Sequence, residues 1–210
     1  MLLAIDTSAG TSVAVVDRTA GVIAEHGIPD TMRHAEVIGD LIAQCLAEAG
    51  ITVDALSGVV AGMGPGPFTG LRVGIAAARV FALGAGKPLV PIVSHDAIAY
   101  GRYLAGESGA LLVVTDARRK EVYWSAYSGS DDVGLPVRVD GPRLAKPAEL
   151  LEADFVHAGM PRFDAAEIFA GDLGMVAELT FAHGRAFAAD EPLYLRSPDV
   201  TLSAGPKRVS

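Results

Sequence analysis

Leu2-Leu-Ala-Ile-Asp-Thr-Ser-Ala-Gly-Thr-Ser-Val-Ala-Val-Val16 decides the fold of this chain. Two apolar runs, Leu2 to Ile5 and Val13 to Val16, flank a polar turn that starts at Asp6 and is built from Thr, Ser and Gly. Short apolar runs separated by small polar residues read as buried strands joined by a hairpin, and Val22 to Ala24 supplies a third strand of the meander. The pattern returns at Leu111-Leu-Val-Val-Thr-Asp116, followed by the turn Ala117-Arg-Arg-Lys120, a strand from Val122 to Tyr127 and a third from Pro136 to Val139. In both places an apolar strand ends in an aspartate and the next apolar strand begins six or seven residues later. Such self-similarity predicts an internal duplication.

Helices and further strands fill the interval. Val37, Ile38, Leu41, Ile42, Cys45, Leu46 and Ala49 recur at helical spacing and predict a helix from Arg33 to Ala49, stopped by Gly50. Gly58 to Ala61 reads as a buried strand, Gly62 to Gly70 as a glycine-rich loop, and Leu71 to Leu83 as an alanine-rich helix ended by Gly84 and Gly86. Pro88 to Val93 reads as a strand, with Ser94 placed to cap a helix reaching about Leu104. After the second meander the pattern predicts a helix over Pro147 to Ala153, a strand over Phe155 to Ala158, a helix over Asp172 to His183 and a strand over Pro192 to Arg196. A boundary near Tyr100 to Gly109 separates an N-terminal domain, 1–100, from a smaller one, 101–196. Residues 197–210, with two prolines and no apolar period, read as a flexible tail.

The composition narrows the function. A chain of 210 residues that is 50% hydrophobic and 20% charged has the material for a core and is too apolar for a disordered acidic protein. Ala55 to Leu71, the longest uncharged stretch, is interrupted by Gly and Pro and does not suit a membrane span. The start, Met-Leu-Leu-Ala-Ile, lacks the basic and long apolar regions of a signal peptide, which leads to the expectation of a cytoplasmic protein. A net charge of −8 argues against an independent grip on nucleic acid, so RNA is expected only through a partner. The single Cys45 sits in an apolar helical pattern and reads as a core residue.

The candidate sites follow from residue type. Gly62-Met-Gly-Pro-Gly-Pro-Phe-Thr-Gly-Leu-Arg-Val-Gly74 runs from a strand into a helix and would present bare amides suited to an anion; the same glycines and prolines also suit a rigid turn. No Asp or Glu stands between Ala55 and His95 to hold a dinucleotide ribose, and Gly86-Lys87 is followed by Pro88 instead of Ser or Thr, so neither dinucleotide nor phosphate-loop motif is present. Asp6, Thr7, Ser8 and Asp116 could surround the metal and phosphates of a nucleotide, or could simply close turns. Ser94-His95-Asp96 cannot form a relay, since neighbouring residues do not point at one another. No two of the five histidines lie four apart, and no metal site is expected. Arg118-Arg119-Lys120 reads as a phosphate contact or as a solvated turn.

Ile5-Asp6-Thr7-Ser8, His34-Ala-Glu36, the glycine-rich string, Asp116-Ala-Arg118 with Glu121-Val-Tyr123, and Tyr194-Leu-Arg196 together resemble the TsaB (YeaZ) family, across nearly the whole chain to Arg196. Gly64, Pro65, Gly66, Phe68, Thr69, Gly70 and Arg72 carry its most specific motif, with Pro67 where the family has a serine hydroxyl. The resemblance implies an α/β fold of duplicated actin/Hsp70-like (ribonuclease H-like) domains, each a mixed sheet with helices, the second reduced. It implies a non-catalytic scaffold or activator that binds the paralogue TsaD, alongside TsaE and TsaC, in forming N6-threonylcarbamoyladenosine on ANN-decoding tRNAs. TsaD holds its metal with a His-x-x-x-His pair, whereas this chain has His34 and Ile38. The resemblance thus implies no cofactor required by this chain, with ATP and magnesium belonging to partner subunits and an interface nucleotide left open. Docking is expected through two helices, at His34, Ile38, Leu41, Ile42 and Cys45 and at Gly74, Ala77, Ala78 and Phe81. A homodimer is expected in the absence of TsaD, and Arg118 and Arg119 are the expected tRNA contacts within the complex. The rival is a stand-alone ATPase or small-molecule kinase of the same fold using Asp6 and Asp116; a glycoprotease lacks both metal and nucleophile dyad.

Overall fold

The computed structural model describes residues 1–29 and 32–196. The opening hairpin forms as its alternation dictates: β1 (Leu2–Asp6) pairs antiparallel with β2 (Thr11–Asp17), and β2 with β3 (Gly21–Ile28). Helix α1 (His34–Glu48) then leads to β4 (Gly58–Gly62), parallel to β1, and α2 (Phe68–Ala85) to β5 (Leu89–Ile92), parallel to β4. The sheet order is β3-β2-β1-β4-β5. After α3 (Ser94–Leu104), β6 (Leu111–Asp116), β7 (Val122–Ser130) and β8 (Pro136–Ala145) repeat the meander, and β9 (Arg162–Ala165) lies parallel to β6. The second sheet, β8-β7-β6-β9, therefore repeats the first four strands of the first. The duplicated mixed α/β architecture with a reduced second sheet is thus present.

Both faces of the first sheet are buried, which is why its strands read as nearly continuous apolar runs. Leu3, Ile5, Val13, Val15 and Val59 point to α1 and α2. Leu2, Ala4, Ala14, Val16 and Val60 point the other way, into a core shared with α3, α4 (Ala170–Ala182) and the second sheet through Ala97, Leu173, Ala177, Leu111, Val113 and Tyr127. The far face of the second sheet packs Leu112, Val114 and Trp124 beneath Leu150 and Phe155. Helix α4 comes from the second half of the chain but lies on the first sheet. Its first N–H groups are satisfied from that sheet: Ala170 donates to Ser12 Oγ and Gly171 to Glu25 Oε1, both at 3.0 Å. Capping by residues distant in sequence removes orphan donors that no local side chain reaches.

Several expected elements differ. Helix α2 begins at Phe68 rather than Leu71, so Phe68, Thr69 and Gly70 belong to the helix; Pro67 stands at its N-cap, with a fixed φ that suits helix entry. This helix has the length and apolarity of a membrane span, although the stretch weighed from sequence was Ala55 to Leu71; its inner face packs in the core and it carries Arg72 and Arg79. Ser94 is not a cap: Val93 holds that position and the Ser94 hydroxyl is directed elsewhere. The segment read as a helix over 147–153 is a short 3-10 turn, Glu149–Leu151, and Phe155 to Ala158 is turn rather than strand, with Phe155 packed edge-on against Trp124 and Val156 exposed. Residues 192–196 run without strand pairing, held by single contacts described below. The tail read over 197–210 lies outside the described residues.

Candidate functional site

Asp6 ends β1 at the centre of the first sheet and is buried with Thr7 and Ser8. The Asp6 carboxylate accepts hydrogen bonds from the Ser8 N–H at 2.7 Å, the Ser8 hydroxyl at 3.2 Å and the Ser94 hydroxyl at 2.5 Å. Ser94 Oγ also accepts the Gly64 N–H at 3.1 Å and lies 2.9 Å from Ser8 Oγ. Burial pushes the Asp6 carboxyl above its usual range, while the hydrogen bonds from Ser94 and Ser8 pull it down. Thr7 Oγ1 donates to the Gly70 carbonyl at 2.8 Å.

The glycine-rich loop packs directly on this turn. A Cβ at Gly62 would come within 1.8 Å of Asp6 Oδ2, one at Gly66 within 2.8 Å of Ser8 Cα, and one at Gly74 within 2.1 Å of Thr7 Oγ1. Close approach of backbone to turn, rather than an open cradle, is what demands glycine at these positions. The Gly66 carbonyl accepts from Tyr123 OH at 3.2 Å, and the Met63 carbonyl accepts from the Leu193 N–H at 2.8 Å. Tyr194 packs on Phe68 at 4.8 Å between ring centroids, with the Arg72 guanidinium 5.0 Å from the Phe68 ring. Arg196 donates to the Ala117 carbonyl at 3.0 Å and lies 3.5 Å from Glu121. The motif residues Tyr123, Tyr194 and Arg196 thereby tie the loop to the second meander.

Asp116 stands apart from this cluster. It is exposed at the end of β6, accepts the Arg118 N–H at 3.0 Å, and among the described residues no hydrogen bond or ion pair joins it to Asp6. A magnesium nucleotide, which the fold family implies, does not fit the Asp6 turn as it stands. The carboxylate, both hydroxyls and the Ser8 N–H that would greet metal or phosphate are directed into the protein.

The residues assigned to docking fall mostly on the inner faces of their helices. His34, Ile38, Leu41, Ile42 and Cys45 of α1 and Gly74 and Ala78 of α2 are buried, with Ala77 and Phe81 half-buried against the same core. His34 Nδ1 lies 2.7 Å from Thr11 Oγ1, and the Cys45 thiol, pushed up to about 11 by burial, donates to the Val13 carbonyl. The apolar period that reveals a helix marks its core-facing side, so the buried ones among these positions are occupied by the chain's own core. The outer faces present Gly39, Ala43 and Ala47 on α1 and Ala76, Val80 and Leu83 on α2. Val80 is 70% and Leu83 83% exposed, values expected of an uncovered apolar surface.

His95, discarded as part of a relay, is a buried crosslink that sequence reasoning missed. Its Nδ1 lies 2.8 Å from Ser125 Oγ and its Nε2 2.9 Å from Thr115 Oγ1, joining α3 to β7 and β6. Burial, with the nearby Arg138 charge, lowers its pKa to about 3, so the ring is neutral.

Comparison with known proteins agrees with this architecture. The family model described as "TsaD: tRNA N6-adenosine threonylcarbamoyltransferase" matches residues 14–194. An uncharacterized protein of Mycobacterium tuberculosis is 37% identical over 202 residues, covering 94% of this chain and 92% of that one. The tRNA threonylcarbamoyladenosine biosynthesis protein TsaB of Escherichia coli is 27% identical over 93% of this chain and 94% of its own length. A crystal structure of a Pseudomonas aeruginosa protein similar to the peptidase YEAZ superposes with a TM-score of 0.77 at 25% identity, covering 93% of this chain and 99% of that one. With its duplicated meander, its glycine loop folded onto the Asp6 turn and these relatives, the chain belongs to the TsaD family of tRNA N6-adenosine threonylcarbamoyltransferase proteins and is a homologue of its TsaB (YeaZ) members.

Proposed function

We propose that this chain takes part in threonylcarbamoyladenosine biosynthesis on tRNA as a non-catalytic subunit, a scaffold that binds and activates a TsaD-type transferase. The observation that carries the reading is the Asp6 turn, whose polar groups engage Ser94 and the Gly70 carbonyl, with Ser94 in turn held by the Gly64 N–H, instead of facing a reactant. The name of the Escherichia coli relative supports the pathway. In this reading residues 1–100 dock the partner, through the outer faces of α1 and α2, and residues 101–196 brace them. The chain needs no cofactor of its own, works in the cytoplasm with TsaD and TsaE, and pairs with a second copy when TsaD is absent, because the same outer faces then need cover.

The test is threonylcarbamoyl transfer to an unmodified tRNA transcript, reconstituted from the cognate TsaC, TsaD and TsaE with and without this chain, and from this chain alone. The expected result is transfer that requires the chain and is never produced by it alone. Transfer indifferent to the chain, or ATP turnover by the isolated chain, would overturn the reading. Size measurement of the chain, alone and with TsaD, is expected to show a dimer exchanged for a heteromer.

A further inference from the structure

Between α3, β9 and the start of α4 lies a cavity of about 290 Å³ that shares no residue with the Asp6 turn. Ile98, Phe163, Ala165 and Phe169 give it apolar walls, with Arg102 and Asp172 set among them. Mostly apolar walls with a few polar groups that fix orientation are the make-up of a small-ligand site. The two charged side chains are not in the same state. The Arg102 guanidinium stacks 4.2 Å from the centroid of the Phe163 ring and pairs with Glu107. Glu25, the carboxylate that faces Asp172 from β3, accepts the Ser12 hydroxyl and the Gly171 N–H, each at 3.0 Å. Among the described residues nothing donates a hydrogen bond to Asp172 and no cation pairs with it.

The backbone makes room for this carboxylate. A Cβ at Gly101, inside α3, would come within 2.3 Å of Asp172 Oδ2. Glycine is a poor helix former, so α3 gives up stability to seat the acid. Burial and the Glu25 charge then hold its carboxyl up at about 6, a second penalty that an asparagine of the same shape would avoid. An acid kept on a cavity wall against stability is a mark of binding function. Among the described residues no three acidic, histidine or cysteine side chains converge as metal ligands, so the fit is to an organic cation.

We infer that this cavity binds a primary ammonium ion carried on a short apolar body, the charge lying at Asp172 and the body against Ile98, Phe163 and Phe169. A bound ammonium offsets the repulsion between Asp172 and Glu25, and Glu167, exposed at the rim, adds to the potential that draws a cation in. A free amine and a lysine side chain of another protein offer the same chemistry. The titratable and charged groups around Asp172 are Glu25 on β3, Glu167 ahead of α4, and Tyr100 and Arg102 on α3. Only the ionised carboxylate takes the cation, so affinity should fall about tenfold from pH 7.5 to pH 5. The inference stands apart from the scaffold reading.

The experiment titrates the full chain with phenethylamine up to roughly 20 mM and follows the amide signals of Gly101, Phe169 and Asp172 by proton–nitrogen NMR. Phenethyl alcohol, which replaces the ammonium with a hydroxyl, and Nα-acetyl-lysine amide are run alongside. The amine should saturate these shifts at pH 7.5 and bind about tenfold more tightly than the alcohol. Asp172→Asn should weaken amine binding about tenfold while melting no lower than wild type, which separates loss of binding from loss of fold. Phe169→Ala, at a half-exposed position, should weaken it about fivefold. Saturation by the lysine derivative assigns the ammonium to a protein side chain, and saturation by phenethylamine alone assigns it to a free amine. No shift at these amides from either ammonium compound would overturn the inference, as would undiminished binding by Asp172→Asn or equal binding of amine and alcohol.

Discussion

At the residue scale, Asp172 and Gly74 make the packing arguments testable. Asp172 lies in the first turn of α4, and its pKa is raised to about 6, by burial first and by the Glu25 carboxylate second. An acid with a raised folded pKa binds its proton more tightly in the folded state, so stability falls as pH rises from about 4 to about 6. Asp172→Asn should therefore raise stability on the order of 1 kcal/mol at pH 7.5 and much less at pH 4, read by denaturant melts at both pH values. An equal gain at both would discard the titration of Asp172 as the cause. Gly74→Ala should cost about 2 kcal/mol, since the added methyl meets buried Thr7 even though alanine favours the helix. In a Thr7→Ala background the same change should cost clearly less, and a purely additive cycle would dismiss the Thr7 contact as the reason for glycine.

At the element scale, the sequence was legible where one physical demand acted alone. Strands β1, β2, β6 and β7 are buried on both sides, and α1 keeps one apolar stripe, so period and composition announced them. Strand β9 was missed because Arg162-Phe-Asp-Ala165 is an edge strand whose charged residues point outward. The run from Phe155 to Ala158 mimics a strand, yet it is a turn in which Phe155 packs on Trp124 and Val156 faces out. The site was legible as a motif and not as a geometry, because nothing in Gly62 to Gly74 says whether its glycines open onto a ligand or close onto Thr7 and Ser8. The docking residues show the same limit: periodicity finds the stripe that the core buries, and the outer faces of α1 and α2 are the ones left open. Ala43→Arg and Ala76→Arg sit on that other side, and each should change stability by less than about 0.5 kcal/mol while abolishing association with the TsaD-type partner in pull-down. Retained association would move the interface elsewhere.

At the scale of the whole molecule, one core runs through both sheets, with α3 and α4 between them. Arg79 pairs with Asp190 at 2.7 Å, and Leu193, Tyr194 and Arg196 fasten the last described segment across both halves. The duplicated halves should consequently unfold together. Trp124, the only tryptophan, reports the second sheet by fluorescence, whereas far-ultraviolet dichroism is dominated by helices packed on or beside the first. The two signals should give one coincident denaturant midpoint; separated midpoints would divide the molecule into independent folding units.

The position of α4 has a consequence for synthesis. Leu2, Ala4, Ala14 and Val16 leave the ribosome long before the helix that covers them, Ala170–Ala182. At about 5–20 residues per second this leaves the sheet half-dressed for roughly ten to thirty seconds on every nascent chain. During that window an apolar β-surface is offered to whatever binds emerging polypeptides, so the yield of soluble protein depends on translation speed and chaperone supply as well as on the stability of the finished fold.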